Sequence, residues 1–230
     1  MPQTLDRKSA AYWVVLAVVA VYAGVSITSF ARVIEEEQEA LFANIDTIRS
    51  VNNGTTTIPI SLMKTATFKT TEGDIVLELF VDQMPITTGN FIKLAQEDFY
   101  DGVQFHRVIE NFMIQSGDPN TKGDDANTYG TGGPGYTIED EFVEGLSNVR
   151  GTISMANTGR PNSGGSQFFI NLVDNTGLDF DKQPLTSKHP VFGKVIEGME
   201  VVDAIGKTDT NFRDLPETPI VINDIVIEDR

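Results

Sequence analysis

ATFKTTEGDIVLELF, residues Ala66–Phe80, decides the class of the fold. Its apolar residues alternate, with Ile75, Leu77 and Leu79 on one face, and a polar turn containing Glu72 and Gly73 interrupts the run. Period-two alternation around a glycine-containing turn is the pattern of a β-hairpin buried on one side. Downstream, Phe91, Leu94, Ala95 and Phe99 recur at helical spacing, which predicts a helix over Thr87–Phe99 with Thr87 and Thr88 as caps and Gly102 beyond its end. A second helix is expected over Met199–Ile205, with Val201, Val202 and Ile205 on one face and Gly206 closing it in the left-handed conformation. The last segment, IVINDIVIEDR, returns to strand character, so both helices lie between strands and the class is mainly β. No repeat of fixed period suggests a solenoid or a propeller.

Upstream of the hairpin the character changes. From Ser9 to Ala31 there are 23 residues without a charge, rich in Val, Ala and Leu. At ~1.5 Å per residue they reach roughly 35 Å, enough for a hydrocarbon core of ~30 Å. Arg7 and Lys8 precede the run, whereas Arg32 is followed by Glu35, Glu36 and Glu37, so residues 1–8 are expected to stay in the cytoplasm and the body to be exported. Tyr12 and Trp13 suit an interfacial anchor. The alternative is a cleaved signal peptide, for which Ser29 and Ala31 supply a small-x-small site, leaving a secreted or periplasmic product. The run exceeds the usual signal core, and the reading adopted is a single-pass anchor in the cell membrane with an extracytoplasmic body. Residues 32–64 read as a juxtamembrane helix, over Val33–Ile48, and a polar linker that contains VNNGTTT and the sequon Asn53-Gly54-Thr55. The globular domain is expected over residues 65–230.

With 230 residues, one well-buried domain and an appendage are accommodated. A formal charge of -16 argues against nucleic acid as a partner, because backbone phosphates are bound by Lys and Arg. The absence of cysteine excludes disulfides, thiolate catalysis and thiolate metal sites, and two histidines alone make a poor zinc site.

Two longer stretches bear on function: FHRVIENFMIQSGD, Phe105–Asp118, and GTISMANTGRPNSGGSQFFI, Gly151–Ile170. In this order and at this separation they closely resemble the two signature blocks of cyclophilins, and the resemblance runs from the first hairpin through VFGKVIEGMEVVDAI. It implies a closed eight-stranded antiparallel β-barrel capped by two α-helices, with a substrate groove on its outer surface. It also implies a peptidyl-prolyl cis/trans isomerase acting on proline-containing polypeptides, here during folding outside the cytoplasm. No metal, nucleotide or organic cofactor is required by that chemistry.

An X-Pro bond prefers trans by only ~0.5–1 kcal/mol, yet exchanges over tens to hundreds of seconds because partial double-bond character must be lost. Catalysis therefore needs a cavity for the proline ring and a donor that favours the twisted amide, and no nucleophile. A guanidinium suits the second task. By resemblance that group is Arg107, with Gln115 orienting it and Phe112 in the catalytic set. Met113, Phe169 and Leu178 resemble the rest of the apolar pocket, His189 its rim, Asn157 the residue whose backbone pairs with substrate, and Ala156 and Gln167 further groove positions. His106 takes a supporting structural part. Taken singly, the apolar members would be core residues and Arg107 a surface charge; only their joint spacing reverses that.

There is one departure. The position that carries Trp or Phe in many cyclophilins falls on Gly177, and the segment from Leu178 to His189, containing DFDKQPLTSK, is long. Either the pocket wall is open there or Phe180 folds back to replace the aromatic, and tight binding of cyclosporin-type macrocycles is not expected. A non-catalytic peptide-binding module using the same groove is the rival reading this departure motivates; an assembly factor recruited through the acidic stalk is another. Gly130–Gly135 satisfies GxGxxG but follows a polar loop and contains Pro134, so it reads as a flexible turn and not a dinucleotide site. Calcium-loop patterns beginning at Asp118 or Asp125 place Tyr129 or Tyr136 where a bidentate Glu belongs. Glu139, Asp140 and Glu141 read as a solvated charge run.

Overall fold

The first hairpin forms as its alternation dictates. In the computed structural model, which describes residues 63–230 except 184, 186 and 187, strand β1 (Lys64–Thr70) pairs antiparallel with β2 (Gly73–Leu79). Ala66 lies opposite Leu77 and Phe68 opposite Ile75, all fully buried. Met63 and Arg230 exchange backbone hydrogen bonds at the start of β1, so the strand system begins ahead of Thr65. The anchor, juxtamembrane helix, linker and sequon expected over residues 1–62 lie outside the described residues. Among the described residues, no helix is long and apolar enough to cross a membrane.

After β2 the chain forms α1 (Pro85–Gln96), the short strands β3 (Val103–Gln104), β4 (Arg107–Ile109) and β5 (Met113–Ser116), then β6 (Thr152–Met155), β7 (Phe168–Asn171), β8 (Val191–Glu197), α2 (Met199–Ile205) and β9 (Val221–Asp229). All strand pairs are antiparallel and make one sheet in the order β3-β9-β1-β2-β8-β6-β7-β5-β4. The fold is mainly β with two α-helices, as the sequence implies, but nine strands are present where eight are expected. The difference lies at one place. β3 and β4, the two ends of the order, are halves of a single run of chain interrupted at Phe105 and His106. Phe105 donates its backbone N–H to Ile220 beside β9, and His106 donates to Gln115 on β5. The sheet therefore curls until both ends reach the same run.

The inside of the curl holds the aromatic core. Phe91 of α1 lies 5.9 Å from Phe68 on β1, 5.9 Å from Phe168 on β7, 5.5 Å from Phe192 on β8 and 5.3 Å from Tyr100, centroid to centroid. Offset and edge-on ring pairs at such separations add about 0.5–1.5 kcal/mol each to the burial of their area.

Helix ends depart from the sequence reading in an instructive way. α1 starts at Pro85, two residues ahead of the expected caps, because a proline has no N–H to satisfy at the first helical position. Neither threonine caps it. The carboxylate of Glu141 accepts from the backbone N–H groups of Ile86 at 3.2 Å and Thr87 at 3.0 Å. The run Glu139–Glu141 is thus more than a solvated face: Glu141 closes a helix N-terminus, and Asp140 exchanges two hydrogen bonds with Asn162. At α2 the left-handed glycine is Gly198 before the helix, at φ 82°, whereas Gly206 after it is right-handed at φ -63°. A Cβ at Gly206 would press on the end of the Leu172 side chain, which would have to shift.

Replacing Glu141 by Ala is expected to lower the stability of the full-length protein by about 1 kcal/mol, the usual worth of an N-cap. Glu139→Ala should change it by less than about half that. Urea unfolding followed by circular dichroism checks both.

Candidate active site

Cross-strand register assembles the site. Arg107 of β4 lies opposite Gln115 of β5, and Gln115 opposite Phe169 of β7, so the three form one row across three strands. Residues directly opposite share a face, and alternate residues of one strand share it too. Met113, two residues before Gln115, therefore points the same way. Val108, Ile114 and Ile170 point to the other face and belong to the aromatic core cluster. Met113 and Phe169 are 2% and 4% exposed, yet neither belongs to that cluster. They are apolar groups buried on the outside of the curl.

Three segments cover them. Phe112, half-buried, sits at the end of the β4–β5 turn, where Asn111 takes φ 58°, a conformation asparagine tolerates. The Phe112 carbonyl accepts from Leu172 N at 3.0 Å and from Asn175 Nδ2 at 2.8 Å, which ties the turn to the segment carrying Leu178. Leu178 accepts through its carbonyl from His189 N at 3.1 Å, and the His189 ring stands edge-on to Phe169 at 5.2 Å. His189 Nδ1 is 3.0 Å from the Met155 carbonyl. Burial is the larger influence on this imidazole and pushes its pKa down, favouring the neutral ring.

The long segment from Leu178 to His189 is anchored at its start. Asp179, almost fully buried, accepts from Asn148 N at 2.7 Å, Asn148 Nδ2 at 2.9 Å and the Ser147 hydroxyl. Asn148 also donates to the His189 carbonyl at 3.3 Å, so one buried amide and one buried carboxylate hold both ends of the segment. Neither residue is singled out by the sequence, because nothing local distinguishes a buried anchoring carboxylate from a solvated one.

On one side of the row a cavity of about 700 Å³ is lined by Gln115, Ala156, Asn157, Gln167 and the glycine run Gly130–Gly135. Gln115 Nε2 donates to Gln167 Oε1 at 3.0 Å, and Gln167 Nε2 donates to the Gly132 carbonyl at 2.8 Å. Gly132 N donates in turn to Asp118 Oδ2 at 3.2 Å, and a Cβ on Gly132 would collide with that carboxylate. The GxGxxG run is therefore a pinned wall and not a free turn, with no regular strand before it and no helix after it. The Asn157 side chain bonds Lys188 O and Gly159 N, while its backbone N–H and C=O meet no partner among the described residues.

At the end of the row Arg107, with its side chain 42% exposed, places Nε 3.7 Å from Asp214 Oδ2. Both partners are solvated, so the pair contributes little stability; its effect is on where the guanidinium points. The terminal nitrogens of Arg107 make no hydrogen bond to another described residue. Gln115 faces Arg107 across the ladder, but its amide is engaged by Gln167. Asp214 was missed by the sequence reading, since it lies over a hundred residues from Arg107. His106, 6% exposed, lies beneath them with neither ring nitrogen hydrogen-bonded. Its pKa is lowered chiefly by burial, against the opposing field of Asp118, so the ring is held neutral.

Residues 62–227 match the sequence model of the family described as cyclophilin type peptidyl-prolyl cis-trans isomerase/CLD. The chain belongs to the cyclophilins. Peptidyl-prolyl cis-trans isomerase B of Escherichia coli is 39% identical over 170 residues, covering 71% of this chain and 99% of that protein. A peptidyl-prolyl cis-trans isomerase of Acinetobacter baylyi is 40% identical over 164 residues, covering 70% of this chain and 83% of its own length. The crystal structure of a cyclophilin-type isomerase from Cryptosporidium parvum superposes with a TM-score of 0.64 at 32% identity, over 74% of this chain and 99% of that one. That protein was also solved in the presence of the dipeptide Ala-Pro. The chain is accordingly an enzyme of the peptidyl-prolyl isomerase class.

At Gly177 of this cyclophilin the structure decides between the alternatives left by its sequence. A Cβ at Gly177 would meet nothing within 4 Å, so the wall is open there. Phe180 is engaged elsewhere, stacked on Phe142 at 5.2 Å. Because Gly177 has no left-handed φ, Gly177→Trp is expected to fold with a stability change within about 0.5 kcal/mol, as for unconstrained surface sites. It should tighten cyclosporin binding by roughly tenfold or more, the effect of burying one aromatic face worth at least about 1.4 kcal/mol. Isothermal titration of both forms checks the ratio.

Proposed function

We propose that this protein accelerates X-Pro isomerisation during the folding of polypeptides outside the cytoplasm, with Arg107 as the electrostatic catalyst. The observation that carries the reading is the single row of Arg107, Gln115 and Phe169 beside buried apolar groups on the outer face. A proline ring resting on Phe112, Met113, Phe169 and Leu178, against the edge of His189, would bring its imide bond beside Arg107. The substrate chain would pair with the unoccupied backbone groups of Asn157 and run past Ala156 and Gln167.

In the planar amide the nitrogen lone pair is delocalised; in the twisted transition state it becomes a localised acceptor. A guanidinium whose terminal nitrogens are uncommitted gains a hydrogen bond as the twist develops, and this differential binding lowers the barrier. The Asp214 contact at Nε and the Gln115–Gln167–Gly132 relay hold the surroundings before substrate arrives, so little reorganisation is needed. His106 supports Arg107 from below as a neutral ring and transfers no proton. The extracytoplasmic setting is supported by the uncharged run from Ser9 to Ala31 and the charge asymmetry around it.

The test is the cis-to-trans rate of a short X-Pro peptide with the full-length protein. Wild type should accelerate exchange strongly, and Arg107→Ala should lower kcat/KM by about 10²-fold, in line with loss of one preorganised donor. An Arg107→Ala protein as active as wild type would remove this residue from the mechanism.

A further inference from the structure

A second cavity, of about 310 Å³, shares Gln115 and Gly130 with the larger one and is lined in addition by Arg107. It is lined by Arg107, Arg213, Gln115, Asn127 and Tyr129, with buried His106 in its wall. Its outer side is the loop from Asp209 to Glu217, which is firmly tied. Asn211 N bonds Leu215 O, Asp214 N bonds Asn211 O, Glu217 N bonds Asp209 O, and Val108 N reaches over to Asp214 O at 2.8 Å. A loop fixed by its own backbone bonds presents its side chains at defined places. At its tip Phe212 is 89% exposed, and the Arg213 guanidinium carbon lies 5.4 Å from that ring.

Arg213 donates from Nη1 to the Asn127 side-chain oxygen at 2.9 Å and has no carboxylate within ion-pair distance among the described residues. A guanidinium held by a neutral amide and an aromatic face keeps its charge available. Arg107 adds a second guanidinium whose only carboxylate contact among the described residues, Asp214, is at Nε. The other nearby acid, Asp125, is engaged by the backbone and side chain of Asn127. The cavity lining itself carries two guanidinium groups and no carboxylate, with Asp214 and Asp125 standing beside it, in a chain of formal charge -16. Beyond about 8 Å at physiological salt the distant carboxylates are screened, so the local pair decides what enters.

We propose that this cavity is a specificity subsite that receives the carboxylate of an Asp or Glu side chain close to the target proline. The carboxylate would lie against Arg213, in the planar geometry that guanidinium groups favour, and leave the terminal nitrogens of Arg107 to the imide bond. Its volume is ample for an Asp or Glu side chain, and it shares Arg107 and Gln115 with the row that would hold the proline, so the acidic residue must be a near neighbour in the substrate. This inference rests on the isomerase reading of that row.

The experiment uses the full-length protein and a set of Ala-Pro peptides in which Glu or Gln is walked through the three positions on either side of the dipeptide. Both isomerisation rates and peptide affinities are measured. At one position the Glu peptide should exceed its Gln twin by about fivefold in kcat/KM and in affinity, the scale of a partly exposed ion pair. Arg213→Lys should keep most of this ratio, Arg213→Ala should bring it to one, and Arg213→Glu should reverse it. Catalysis of the Gln peptides with no Glu preference at any position, or a preference unmoved in Arg213→Ala, would overturn the subsite and leave the isomerase intact. Absence of catalysis with every peptide would overturn the isomerase reading, and the affinity ratio would then decide the subsite by itself.

Discussion

Two successive backbone N–H groups point in opposite directions: Phe105 donates to Ile220 and His106 to Gln115. The rest of the structure depends on that split. Because one run of chain supplies both ends of the sheet, the sheet has to curl, and its concave side becomes the only place large enough for Phe68, Phe91, Tyr100, Phe168 and Phe192. Once the inner face is filled by alternate residues, their neighbours are committed to the outer one. Arg107 follows the split directly and lands outside, in register with Gln115 and Phe169. The site is thus a consequence of strand parity, and a one-residue slip in β4 or β5 would bury the guanidinium and expose the core.

Elements whose signals are local were legible in the sequence. The first hairpin, the second helix and the terminal strand carry their own periodicity, and the mainly β class follows from them. Features set by distant residues were not. α1 is capped by Glu141, 55 residues from Ile86, and no cap motif near Thr87 could announce it. Gly206 reads as a left-handed terminator, but it is right-handed and packs close to the Leu172 side chain, and the left-handed residue is Gly198. Among site residues, the two blocks point to Arg107, Gln115, Phe169 and their neighbours through resemblance alone. Asp214, Asp179 and Asn148, which position that set, look like ordinary loop polars until the fold brings them in.

The open wall at Gly177 has a physical consequence for selectivity. With no aromatic side chain at that point, less apolar area can be covered on one flank of the groove, and polar or charged contacts gain relative weight. Phe180 does not compensate, because its ring is stacked on Phe142.

The central claim is that Arg107 acts through the directional donors of a guanidinium placed beside an apolar floor, and exchange spectroscopy on a proline peptide at equilibrium tests it most directly. With a catalytic amount of full-length wild type, cis and trans resonances should exchange on the millisecond-to-second scale, whereas Arg107→Lys, which keeps the charge but lacks the planar fork, should leave exchange at least about tenfold slower. Equal exchange in the lysine variant, or none in a folded wild type, would contradict the account.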